Sequence, residues 1–194
     1  MLTFYLVRHG ETESNLKGTI MGQLDSPLTE EGLLNAKKVS EKLRGIQFDY
    51  TYSSDLGRAF RTLYIITKEL GITDLLLPKK ELREIDYGIY SNMDKNYVKK
   101  ECREYKKDVK YVFYKGESFE LLQKRVIGFI KNLEKENNNK TILIVGHSGV
   151  IRSIICYFNS LDFQENLKMK ISHEYIGKFV LKNGVISNYE KIND

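Results

Sequence analysis

The chain has 194 residues, of which 41% are hydrophobic and 29% charged, with only 2 prolines and 14 glycines. That suits one domain with a sizeable core, spanning 1–194; it argues against long disordered linkers, and no apolar run reaches membrane-spanning length. The net charge of +5 invites a nucleic-acid partner, but lysines are spread among acidic residues and no basic run alternates with aromatics, so neither nucleic acid nor membrane is expected.

Leu2 to Val7 reads as a buried strand, too short for a signal-peptide core and without a cationic stretch before it. The strand breaks off at Arg8-His9-Gly10. Open α/β sheets collect their ligands at strand ends of this kind. Arginine offers a fork matched to phosphate oxygens, and histidine can serve as nucleophile, base or ligand. On this stretch alone, a strand-end histidine with a surface arginine remains an alternative. Residues 16–28 read as loop and contain Gln23. Thr29-Glu30-Glu31 opens a helix with Leu33, Ala36, Val39 and Leu43 on its buried face, ending near Gly45. Phe48 to Ser53 is a short strand. Ser53 or Ser54 caps a helix running to about Leu70, with Leu56, Ala59, Leu63 and Ile66 inward and Arg58 off that stripe.

A third strand is expected over 74–80, leading to Leu82-Arg83-Glu84-Ile85-Asp86-Tyr87-Gly88. Residues 89–116, rich in tyrosine and lysine, look like a lid-like insertion over a sheet end, with a helix around 95–107 and a solvated lysine face. A helix from Glu117 to about Glu136 buries Phe119, Leu122, Val126, Phe129, Ile130 and Leu133. Thr141 to Val145 is the most apolar strand and therefore central. It ends in Gly146-His147-Ser148-Gly149 ahead of a helix over 150–158. The tail alternates around Asn183-Gly184 and predicts a hairpin. Cys102 and Cys156 have no zinc or redox spacing and fit reduced thiols in a cytoplasm.

Three strand-to-helix junctions thus end in groups suited to phosphate: Arg8 with His9, Ser53-Ser54 with Arg58, and His147 with its glycines. The third histidine, His173, opens the hairpin and reads as structural or exposed. A zinc site of two histidines with Glu84 is disfavoured, because arginines stand where carboxylates would be needed. No cofactor is expected.

These blocks resemble the histidine phosphatase superfamily, in its phosphoglycerate-mutase-like branch. The resemblance runs from about Leu2 to Arg152 through Arg8-His9-Gly10 with Thr12 and Asn15. It continues through Gln23 with Asp25 and Thr29, Ser53 to Leu56 with Arg58 and Thr62, Glu84 with Tyr87-Gly88, Gly116-Glu117-Ser118, and Gly146 to Gly149. It implies a three-layer αβα fold with a mostly parallel sheet. It implies His9 as nucleophile, Arg8, Arg58 and His147 around the phosphoryl oxygens, and Glu84 as proton donor. Asn15, Gln23, Ser148 and Gly149 would assist binding. The implied activity is metal-independent hydrolysis of a small phosphorylated metabolite through a phosphohistidine. Phosphoglycerate mutase is the alternative, disfavoured by the short stretch between Gly88 and Gly116; a non-catalytic phosphate binder is a further one. Within hydrolysis, α-ribazole phosphate and broad-specificity phosphatases stay open. The chain departs from the family pattern at Phe60-Arg61 and at Tyr90-Ser91-Asn92, so substrate choice is not transferable.

Overall fold

The apolar strands settle in the middle and the helices cover them. A computed structural model describes residues 1–72 and 76–192. β1 (Leu2–Arg8) lies between β6 (Lys140–Gly146) and β7 (Ile176–Lys182). β3 (Tyr50–Ser54) joins the far side of β6, β4 (Leu76–Lys79) is one edge, and β8 (Val185–Lys191) is the other. The pairs β4–β3, β3–β6 and β6–β1 are parallel; β7 and β8 turn back as an antiparallel hairpin. The sheet is therefore mostly parallel, and the expected central strand is central. Of the strand expected over 74–80, residues 74 and 75 lie outside the described residues.

Both faces are covered, which explains the near-continuous apolar runs of β1 and β6. On one face α2 (Glu30–Lys42) and α3 (Gly57–Glu69) pack Ala36, Val39, Leu63 and Ile66 against Val7 and Val145. On the other, α5 (Phe119–Glu136) and α6 (Ser148–Phe158) pack Leu122, Val126, Ile151 and Ile154 against Phe4 and Ile144. Among the described residues no helix is long and apolar enough to cross a membrane.

Several local expectations change. Leu33 is exposed; Gly32 and Asn35 take the inward positions of α2, because the turn after β1 packs against that helix's first turn. A Cβ on Gly10 would land on the Gly32 carbonyl, so the close approach requires glycine. Phe129 is only partly buried and Ile127 goes inward instead. The α3 helix starts after Leu56, which supplies no side-chain cap. Its free amide is met from a distant loop, Asp25 Oδ1 accepting from Arg58 N at 3.1 Å. The loop over 16–28 is partly ordered by α1 (Glu13–Lys17) and β2 (Thr19–Ile20), the latter pairing with β5 (Met93–Asp94). The helix expected over 95–107 divides into α4 (Lys95–Glu101) and a 3-10 turn over Arg103–Lys106. A last short helix, α7 (Phe163–Lys168), precedes the hairpin.

Candidate active site

The carboxyl ends of β1, β3 and β6 open into a cavity of about 690 Å³. His9 lines it, only 5% exposed. The backbone fixes this residue closely. His9 N donates to Gly146 O at 3.0 Å, tying β1 to β6. Gly10 N donates to Thr62 Oγ1 at 3.0 Å, and Thr62 Oγ1 donates to Arg58 O at 2.8 Å. The turn after the nucleophile candidate is thus bolted to α3. The ring itself donates from Nδ1 to Gly10 O at 2.7 Å. A carbonyl only accepts, so Nδ1 carries the proton and Nε2 keeps its lone pair. Burial, then Arg58 and Arg8, hold the His9 pKa well below its ordinary value. The ring is neutral and nucleophilic at pH 7.

Three groups stand close to the His9 ring. Arg8 donates from NH1 to Ile171 O at 2.5 Å, while its buried Nε has no partner among the described residues. Burial first, and then Arg152 and Arg58, press its pKa down to about 10 against the opposing pull of Glu84. Arg58 is 4% exposed rather than off the buried stripe. Its guanidinium is gripped by Leu24 O at 2.7 Å and Gly22 O at 2.8 Å, which turns it inward. His147 is fully buried, its ring centroid 5.1 Å from that of His9. Neither of its ring nitrogens has a partner among the described residues. Burial and Arg58 lower its pKa far below the usual histidine value. Buried polar atoms without partners point to a ligand that would satisfy them.

Glu84 stands opposite. Its Oε2 accepts from Gly149 N at 3.2 Å and from Ser148 Oγ at 3.4 Å, and its Oε1 accepts from Ile85 N at 3.0 Å. A Cβ at position 149 would collide with Glu84 Oε1, so this approach requires glycine. A surface ion pair between Glu84 and Arg83 does not form; Arg83 grips both oxygens of Asp55 at 2.7 and 2.6 Å. The Glu84 main chain is pinned by Arg125 NH2 at 3.0 Å, itself held by Glu117 Oε1 at 2.6 Å. That gives the Gly116-Glu117-Ser118 block its structural purpose.

Asn15 and Ser148 line the cavity; Gln23, His147 and Gly149 do not. Asn15 shares a capping box with Thr12 at the start of α1. Gln23 donates to Glu84 O at 3.4 Å and accepts from Arg83 at 3.3 Å, so it supports the loop that carries Glu84. His173 does not line the cavity; of its two readings the structural one holds, for it is half-buried and supports the His9 main chain. Its Nδ1 donates to His9 O at 2.9 Å and its ring sits 5.6 Å from the His9 ring. Burial and then Arg8 lower its pKa to about 4. Sequence reasoning also missed Arg152, whose only signal was its place four residues after Ser148 on α6.

A neutral imidazole with a free lone pair, two arginines and an opposed carboxyl group can carry a phosphoryl group and, with the carboxyl in its acid form, deliver a proton. Comparison with known proteins agrees. The profile of the histidine phosphatase superfamily (branch 1) matches residues 4–187. The chain belongs to the histidine phosphatase superfamily. A phosphoserine phosphatase 1 of Hydrogenobacter thermophilus is 30% identical over 173 residues, 85% of this chain and 80% of that one. A 2,3-bisphosphoglycerate-dependent phosphoglycerate mutase of Parvibaculum lavamentivorans is 30% identical over 177 residues, 86% and 84% of the two chains. Among solved structures, a mutant phosphoserine phosphatase from Entamoeba histolytica in complex with phosphoserine superimposes with a TM-score of 0.83. It is 28% identical and covers 97% of this chain and 96% of that one. This histidine phosphatase thus falls among enzymes of phosphoric monoesters.

Proposed function

We propose that this histidine phosphatase hydrolyses a small phosphorylated metabolite through a phosphohistidine at His9, without a metal. The observation that carries this is the His9 tautomer: Nδ1–H is spent on Gly10 O, leaving Nε2 as nucleophile in the cavity. Nε2 attacks phosphorus and forms the P–N bond as the P–O ester bond breaks. Arg8, Arg58 and His147 hold the equatorial oxygens, and their fixed dipoles and charges do the work a divalent cation would otherwise do. Glu84 gives its proton to the departing oxygen, then takes one from the water that cleaves the P–N bond. Asn15 and the Ser148 hydroxyl complete the polar wall, with Gly149 and Gln23 positioning Glu84. We read residues 89–116 as a lid-like insertion of a single domain, since Lys95, Lys99 and Tyr105 reach the cavity. Two buried reduced cysteines support a cytoplasmic setting.

Turnover of p-nitrophenyl phosphate in EDTA is the test. Hydrolysis that survives EDTA and is lost in His9→Ala is expected; hydrolysis abolished by EDTA would contradict the reading. A mutase is the second reading, favoured by the Parvibaculum relative. Interconversion of 3- and 2-phosphoglycerate faster than phosphate release would establish it.

A further inference from the structure

Unlike the histidines and arginines of the site, Glu84 has no regular element to carry it. His9 and His147 follow β1 and β6 directly, Arg8 ends β1, and Arg58 stands in the first turn of α3. Glu84 lies in an irregular stretch, 83–87, between 3-10 turns over Lys80–Leu82 and Gly88–Tyr90. Its neighbours Leu82 and Ile85 are wholly buried. Apolar contact is non-directional, so it fixes their depth but not the tilt of the peptide planes. The bonds that reach the carboxyl from α6, 3.2 Å from Gly149 N and 3.4 Å from Ser148 Oγ, are at the long end and do not fix it alone. Carbonyls outside a helix or ladder need donors from elsewhere.

Arg125, on α5, supplies those donors. Its NH1 donates to Glu81 O at 2.8 Å and its NH2 to Glu84 O at 3.0 Å, so one planar guanidinium spans the stretch. Glu117 holds that plane from its other edge, Oε2 accepting from Nε at 3.2 Å and Oε1 from NH2 at 2.6 Å. The same Oε1 accepts from Asp86 N at 3.0 Å, and Glu117 N donates to Asp86 O at 2.9 Å. The pair is partly buried and charge-assisted, and it grips the chain at 81, 84 and 86, on both sides of the carboxyl's origin. Arg125 lines a separate groove of about 640 Å³ with Glu81 and Glu117, and not the catalytic cavity. It acts on the reaction only through Glu84.

We propose that Arg125 is a positioning residue for proton transfer: with Glu117 it fixes how Glu84 meets the departing oxygen, and so sets how poor a leaving group the enzyme can expel. This rests on the reading of Glu84 as proton donor. A misplacement of the order of 1 Å costs a proton transfer about a hundredfold.

Phenyl phosphate and p-nitrophenyl phosphate carry the same phosphoryl group and differ in how much proton help the leaving oxygen needs. Arg125→Ala should slow phosphoenzyme formation from phenyl phosphate by about 10- to 100-fold, and from p-nitrophenyl phosphate far less. Arg125→Lys should fall between, since one ammonium cannot bridge two carbonyls and a carboxylate. Guanidinium ion, which can enter through the open groove, should restore part of the rate to Arg125→Ala. In a Glu84→Gln background Arg125→Lys should change either rate by less than about twofold, because the two act as one unit. Should Arg125→Ala fail to fold, the lysine variant carries the test. Equal slowing of both substrates, or a full additional loss on top of Glu84→Gln, would overturn the proposal. Amide hydrogen exchange separates it from the reading beneath it. If Glu84→Gln leaves the ratio of the two substrates unchanged, the acid role falls; faster exchange at Ile85 and Asp86 in Arg125→Lys, with β6 unaffected, would still uphold the clamp. Unchanged exchange at those two amides would overturn the clamp whatever Glu84 does.

Discussion

The floor and the rim of the cavity are built on different principles. The floor is made of strand ends, and nearly every functional group on it is held by the main chain. His9 is fixed by Gly146 O, Gly10 O and His173; Arg58 by Gly22 O and Leu24 O; Glu84 by the amides of Ile85 and Gly149. The rim comes from α4, the 3-10 turn after it, α7 and the stretch to Ile171, and it presents long lysines such as Lys95, Lys99 and Lys170. Groups held by backbone geometry cannot shift much, which suits an invariant phosphoryl chemistry. Flexible cations on short elements can be exchanged without disturbing the sheet, which suits a variable leaving group. The floor should therefore decide whether phosphate is transferred, and the rim from which molecule.

Substitutions on the floor should break this division most severely. His9→Ala should lower kcat by about 10⁴-fold or more, as loss of a nucleophile does, measured by initial rates on p-nitrophenyl phosphate. Glu84→Gln should slow phosphoenzyme formation from an alkyl phosphate by about 10²–10⁴-fold, but hardly at all from p-nitrophenyl phosphate, whose phenolate leaves unaided. Equal slowing for both substrates in a single-turnover assay would remove Glu84 from the acid role.

The rim is tested next. Replacing residues 89–116 with the corresponding stretch of another superfamily member should change the relative kcat/KM of substrates by more than about tenfold. Competitive inhibition by inorganic phosphate should stay nearly constant, because the floor is untouched. An unchanged substrate ranking in a well-folded exchange would move specificity to the α7 side.

His173 lies beneath the floor, and its removal should have a smaller effect. His173→Ala should lower kcat by about tenfold with little change in KM, as the loss of one buried hydrogen bond would. His173→Asn, which can still donate to His9 O, should recover most of it. Stability should also respond. A histidine whose folded pKa is lowered binds fewer protons folded than unfolded, so stability falls as pH drops below the unfolded value of about 6.5. For His173 the loss continues down to its folded pKa of about 4. Thermal melts from pH 7 to pH 5 should show a falling Tm, with a shallower slope in His173→Asn.

The floor was largely legible in the sequence, and for a physical reason. Arg8, His9 and His147 follow apolar strands directly, so chain order alone placed them at one sheet edge. The α/β class and the terminal hairpin came from hydrophobic periods that the packing kept. What stayed hidden depended on contacts between distant segments. Arg58 was placed at the right sheet edge, but its burial stayed hidden because helical spacing cannot see the carbonyls of Gly22 and Leu24 that draw it inward. The bond from Gln23 to the Glu84 main chain stayed hidden because that partner lies far along the chain. His173 read as structural or exposed, and its partner, the His9 carbonyl, stayed hidden because only the fold brings the tail beneath β1. Leu33 read as core because a helical wheel does not show that the turn at Gly10 takes its place.

The proposed chemistry turns on a covalent bond between phosphorus and His9 Nε2. Rapid-quench labelling with a phosphorylated substrate, followed by peptide mapping, tests it directly. The expected result is acid-labile, alkali-stable phosphate on the peptide containing His9, formed and lost at rates no slower than kcat. Label on Ser148, or steady turnover by the His9→Ala protein, would contradict it.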